Sequence, residues 1–117
     1  MAPAVGERLP DGRPAPGNPF PGSPVFTLGH RNVQGLALDG AGRVWATEFG
    51  EKDVDELNLI RPGGNYGWPF VEGRELTPNA AYIDPLLYYQ PTTAPTGTGF
   101  YSGENYPAQY QNVWFWT

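Results

Sequence analysis

QGLALDGAGRVWATE, residues 34–48, decides how the rest of the chain is read. Gln34–Leu38 is a short β-prone run. DGAG (39–42) follows, four residues that tolerate tight turns and positive φ. Arg43–Glu48 then alternates with a period of two, placing Val44 and Ala46 on one face. Two strands joined by a tight turn make a β-hairpin, and no helical period competes with it.

The same texture continues outward. VFTL (25–28) predicts a strand before the hairpin, separated from it by the polar interruption GHRN (29–32). Beyond the polar loop FGEKDV (49–54), Glu56–Ile60 alternates again, with Leu57 and Leu59 opposed to Glu56 and Asn58. RPGGN (61–65) is a turn, and Tyr66–Phe70 is expected to start a strand. Residues 71–85 read as irregular. Leu86–Tyr89, Gly97–Ser102 and Tyr110–Trp116 are further strands, separated by QPTTAPT (90–96) and GENYPAQ (103–109). Strands at this spacing, with no helix, predict an all-β sandwich, barrel or propeller. Residues 1–24 carry seven of the 14 prolines and few apolar residues, so they are expected to form an irregular arm.

Composition narrows the partners. Twelve acidic residues stand against seven Lys and Arg, for a net charge of -5, which excludes the clustered basic surface that nucleic acid requires. Aromatics make up 15% of the chain, enough apolar mass for a packed core. The absence of cysteine removes disulfides and thiolate metal sites. No run reaches membrane-spanning length, and no signal-peptide pattern is present.

GHRNVQGLALDGAGRVWATEFGEKDVDELNLIRPGGNYGWP (29–69) resembles the soluble glucose/sorbosone dehydrogenase family, whose members use pyrroloquinoline quinone (PQQ). The family pattern runs GHRNPQG, a hairpin, an acidic E-x-G-P loop, D-E-[IL]-N and then NYGWP. GNPFPG (17–22) and APTGTGFYSGENYP (94–107) extend the likeness over roughly residues 17–116. The resemblance implies a six-bladed β-propeller of four-stranded blades. At about 40–50 residues per blade, the chain is expected to be a fragment of about two four-stranded antiparallel blades. Residues 25–117 would be that partial propeller domain, and 1–24 its Pro/Gly-rich arm. The apolar ending QNVWFWT is read the same way, as a strand that needs the remaining blades of a parent chain.

Propeller topology sends GHRN, FGEKDV and QPTTAPT to one face, and DGAG, RPGGN and GENYPA to the other. The polar loops would therefore converge, as a ligand site requires. By the resemblance, Arg31, Asn32 and Thr92 contact PQQ; guanidinium and carboxamide suit its carboxylates and quinone oxygens. The alternative for Arg31 is a self-packed loop in which it pairs with Glu48. Glu48, Glu51, Asp53, Asp55 and Glu56 put five acids into nine residues, a cluster that solvent or a hard cation would relieve. The resemblance implies Ca²⁺ held by the carbonyls of Gly50 and Glu51, with Glu51 standing where the family has Pro. Asp55 and Glu56 would anchor the loop or hold a second calcium, supported by Asn58 and Tyr66. Gln90 stands where the family often has an aromatic ring. His30 is expected to be structural, fixing its loop through a backbone hydrogen bond. The family's catalytic histidine belongs to an earlier stretch, so no catalytic residue is assigned here.

Two functions follow. The first is a share in a PQQ-dependent sugar dehydrogenase that oxidises a sugar hydroxyl and passes electrons to an external acceptor. Its location by resemblance is periplasmic or extracellular. The second is a non-catalytic propeller that recognises a glycan or a protein.

Overall fold

The computed structural model describes residues 4–74 and 80–117. Its strands are β1 (Val5–Gly6), β2 (Val25–Thr27), β3 (Val33–Leu38), β4 (Val44–Glu48), β5 (Asp55–Ile60), β6 (Leu87–Tyr89), β7 (Thr98–Phe100) and β8 (Trp114–Trp116). No α-helix occurs among the described residues. β3, β4, β5 and β6 form one antiparallel sheet in chain order, flanked by the two-stranded sheets β1–β2 and β7–β8. The eight strands are thus divided into one four-stranded antiparallel unit and two two-stranded ones.

The hairpin at the centre is closed from inside its own turn. The buried Asp39 carboxylate accepts hydrogen bonds from the amides of Ala41 and Arg43, both at 2.9 Å, from Arg43 Nε at 2.6 Å and from Trp45 Nε1 at 3.0 Å. One short side chain thus satisfies the turn and the start of β4 together. The same turn reaches the last sheet, where Gly40 N–H donates to Asn112 Oδ1 at 2.8 Å.

β3 lies against β7, and the approach is set by Gly35. A Cβ there would sit 2.6 Å from Thr96 O and 2.7 Å from Thr98 Cγ2, distances no real Cβ occupies. Ala46, Ile60 and Tyr66 form the buried apolar cluster, with Phe26, Val33, Val44 and Ile83 packed on it. The Tyr66 hydroxyl donates to Leu59 O at 2.6 Å, so the ring is buried without an orphaned polar tip. Thr27, His30, Asp39, Thr47, Glu48, Asp55 and Asn58 are buried as well. Hydrogen bonding therefore organises this interior as much as apolar contact does.

Three expectations change. The N-terminal arm is irregular over most of its length, yet Val5 and Gly6 pair with β2, and Glu7 N–H donates to Pro24 O at 2.8 Å. Proline removes a donor but keeps its carbonyl, so a proline-rich segment can still accept a strand. Tyr66–Phe70 does not start a strand. Tyr66 and Trp68 donate to the carbonyls of Leu28 and Gly29, after which Phe70 and Val71 both turn back onto Gly67 O. Pro69 has no N–H with which to prolong a ladder. The strand expected over Tyr110–Trp116 shortens to Trp114–Trp116, because Ala108–Tyr110 is a 3-10 turn and Asn112 takes a left-handed φ of 58°.

Candidate functional site

His30 and Glu48 organise the first loop. His30 is fully buried, its Nδ1 lying 2.6 Å from Glu48 Oε2 and its Nε2 2.8 Å from Thr27 Oγ1. Its ring stacks on Tyr66 at 4.6 Å between centroids. The loop is thus fixed by side chains, not by the backbone hydrogen bond expected from the sequence. Glu48 also accepts Arg31 N–H at 2.9 Å and Asn58 Nδ2 at 2.9 Å. The acid expected as a possible partner for the Arg31 side chain instead holds that residue's backbone.

The Arg31 guanidinium is half-buried. It donates to Phe49 O at 3.2 Å and lies 5.4 Å from the centre of the Trp68 ring. Among the described residues it forms no ion pair, unlike Arg13 with Asp11 and Arg43 with Asp39. Asn32 is exposed, its carbonyl taking Phe49 N–H at 3.0 Å and its Oδ1 taking Gln34 Nε2 at 2.7 Å. The Asn32 side-chain N–H₂ group donates to no described residue.

The second and third loops meet at Asp55. This carboxylate is 1% exposed and accepts the amides of Gly50, Thr93 and Ala94. Glu51 N–H is drawn inward to Glu72. No described group donates to the carbonyls of Gly50 or Glu51. Gly50 is sterically required, since a Cβ would lie 1.7 Å from Val54 O and 2.4 Å from Glu72 Oε1. Thr92 is exposed beside the Asp55-bound amides, and Gln90 Nε2 reaches Asp53 Oδ2 at 3.4 Å.

Strand alternation splits the acidic run. Asp55 faces the two loops, whereas Glu56 faces a narrow crevice lined by Glu48, Glu72, Arg31, Tyr66 and Trp68. Glu56 accepts Gly73 N–H at 2.5 Å and Asn58 Nδ2 at 3.1 Å. Burial raises its carboxyl above the usual range, and the charges of Glu48 and Glu72 add to the rise against those two hydrogen bonds. Glu51 and Asp53 point to solvent. Among the described residues, no group of three or more His, Asp or Glu side chains is arranged to hold a metal.

Hydrogen bonds thus tie Arg31 and Asn32 to Phe49, Gly50 and the 93–94 amides to Asp55, and Glu51 to Glu72, with the 49–51 backbone running between the three sets. Two participants have no clear mark in the sequence. Glu72 falls in a stretch without period, and Trp68 looks like an ordinary packing residue. Only the return of 66–68 along Leu28 and Gly29 carries Trp68 under Arg31.

A family model described as Glucose / Sorbosone dehydrogenase matches residues 7–116. Quinoprotein glucose dehydrogenase B of Acinetobacter calcoaceticus is 48% identical over 62 residues, which is 53% of this chain and 13% of that protein. The PQQ-bound form of aldose sugar dehydrogenase from Streptomyces coelicolor superposes with a TM-score of 0.78 at 49% identity, over 83% of this chain and 29% of that one. The apo-form of soluble aldose sugar dehydrogenase from Escherichia coli gives 0.77 at 27% identity, over 91% and 35%. The chain spans between 13% and 27% of the length of the curated relatives it matches.

Proposed function

The chain belongs to the Glucose / Sorbosone dehydrogenase family, and from that premise we propose that it forms part of the cofactor wall of a PQQ-dependent sugar dehydrogenase. The observation that carries this reading is a half-buried arginine that no described acid neutralises, set beside two carbonyls to which no described group donates. A cation held over an aromatic ring gains about 0.5–2 kcal/mol, which leaves its remaining N–H donors able to take an anion. PQQ is a tricarboxylate with an ortho-quinone, and that chemistry suits Arg31, Asn32 and Thr92.

An anionic cofactor beside Glu51 and Asp53 needs a compensating cation. The Gly50 and Glu51 carbonyls are hard oxygen donors of the kind calcium takes. Both are held in place because their own amides are tied to Asp55 and Glu72. A second calcium would be served by Glu56, whose carboxyl lacks a cationic partner among the described residues. When bound, the quinone supplies the two-electron acceptor for the hydride of a sugar C–H; an external acceptor then removes the electrons. Here Arg31 neutralises cofactor carboxylates, Asn32 orients the ring, and Trp68 keeps water from one side of the guanidinium. His30 braces the loop rather than facing a ligand, because Glu48 and Thr27 engage both ring nitrogens and the side chain is fully buried. No described helix is long and apolar enough to cross a membrane, and the reading places the protein in the periplasm or outside the cell.

The second reading, a propeller that binds a glycan or protein without catalysis, draws on Gln90, which turns to Asp53 and offers no flat ring. One experiment separates the two. The full-length protein is titrated with PQQ and calcium and assayed for sugar oxidation with a dye acceptor. We expect Arg31→Ala to weaken PQQ binding by about 2–3 kcal/mol, the order for a lost charge-assisted contact. Equal PQQ binding by variant and wild type would overturn the role of Arg31; no PQQ uptake by wild type would favour the binding module.

A further inference from the structure

Asp55 opens β5 opposite Tyr89, the last residue of β6, and so stands where the loops at this end of the sheet meet. Its Oδ1 accepts Gly50 N–H at 3.2 Å, and its Oδ2 accepts Thr93 N–H at 2.7 Å and Ala94 N–H at 2.6 Å. Two consecutive amides converging on one oxygen make a small anion-binding nest, here filled by a side chain of the protein. Ala94 takes a left-handed φ of 51°, which a residue with a Cβ rarely adopts without an external hold. On the other side, the 1.7 Å approach that forbids a Cβ at Gly50 leaves the 49–54 loop no slack. The loop carrying Thr93 and Ala94 leads into β7, which belongs to a different sheet from β5.

From this geometry we infer that Asp55 is a positioning residue: one buried carboxylate locks the loop bearing the Gly50 and Glu51 carbonyls to the loop bearing Thr92, across the boundary between two sheets. The consequence for PQQ and calcium rests on the reading proposed above. The lock itself is a property of the chain without ligands. Asp55 acts through backbone amides, three of which converge on its two oxygens. Asparagine would keep its shape yet offer one acceptor oxygen and turn an N–H₂ group toward amide donors.

The test uses Asp55→Asn in the full-length protein, with Lys52→Gln, exposed on the same loop, as control. Amide hydrogen exchange without cofactor should rise in 49–54 and 90–96 together in Asp55→Asn and remain unchanged in Lys52→Gln. Calcium half-saturation, followed by PQQ absorbance, should rise about 10- to 100-fold, the usual range when a group supporting a ligand shell is lost. Unchanged exchange in 90–96, or wild-type calcium and PQQ titrations, would overturn the inference while leaving the cofactor reading intact. If wild type takes up no PQQ, the cofactor reading fails and exchange alone judges the lock. Wild-type protein gives a measure that does not depend on the variant folding. Gly50, Thr93 and Ala94 amides should share strong protection, and fast exchange at Thr93 and Ala94 would also sink the proposal.

Discussion

Asp39 and Glu56 are carboxylates whose environments drive their titrations in opposite directions. Burial alone would raise Asp39, but hydrogen bonds from the Trp45 indole, the Arg43 amide and side chain, and the Ala41 amide hold it well below the usual carboxylate range. A lowered folded pKa stabilises the fold above the ordinary value of about 3.9, and that contribution is lost as pH falls through the folded value. Glu56 is raised, so its contribution is present below about 4.3 and is lost as pH rises through its folded value. Asp39 therefore contributes to the acid limb, together with Asp11, whose carboxyl the Arg13 side chain and amide also hold below the usual range. Urea unfolding of the full-length protein between pH 5 and 2.5 should take up about one proton fewer in Asp39→Asn than in wild type. An identical acid limb in the two proteins would show that the turn does not depend on this carboxylate. His30 teaches a related lesson: a lone histidine in a polar loop invites a catalytic role, and its Glu48 and Thr27 partners make it a brace.

Among the elements, the 49–54 loop is the most constrained. Its alternation-breaking sequence reads as an acidic solvent loop, whereas the structure ties Gly50 N–H to Asp55 and Glu51 N–H to Glu72. Gly50→Ala must displace Val54 O or Glu72, and overpacking of this kind costs about 1–3 kcal/mol. Gly99→Ala is the matched control, since its Cβ meets nothing within 4 Å. Denaturant titration of the full-length protein should find the Gly99 variant within about 0.5 kcal/mol of wild type and the Gly50 variant clearly below it. Equal stabilities would mean that the loop relaxes freely.

At the scale of the whole molecule, the 117-residue chain leaves much apolar surface uncovered. Leu36 and Leu38 are 53% and 65% exposed, Phe115 is 47% exposed, and the sheets end in β6 and β8 with no described neighbour beyond them. Open edges with apolar faces associate. The 117-residue chain, purified by itself, should show concentration-dependent self-association by analytical ultracentrifugation. A single monomeric species across the concentration range, unfolding cooperatively, would count against that expectation.

The sequence by itself determined the strand pattern, the all-β class and the family. Alternation in 34–48 and 56–60 and the Gly/Asp turns are local signals, carried by side-chain period and backbone φ preference. GHRN, DEL-N and NYGW are contiguous motifs, legible without a fold. The same locality explains the misreadings: Val5–Gly6 pairs with a strand about 20 residues away, and Asn112, which stays outside β8, accepts Gly40 N–H from the hairpin turn. Only the tertiary structure decided that Glu48 serves His30, Asn58 and the Arg31 backbone, that Trp68 comes under the guanidinium, and that neighbouring Asp55 and Glu56 work on opposite sides of one strand. The carboxylate roles depend on which hydrogen-bond partners the fold brings together, and the Trp68 placement on a ring 5.4 Å from the guanidinium; sequence spacing carries no such distance.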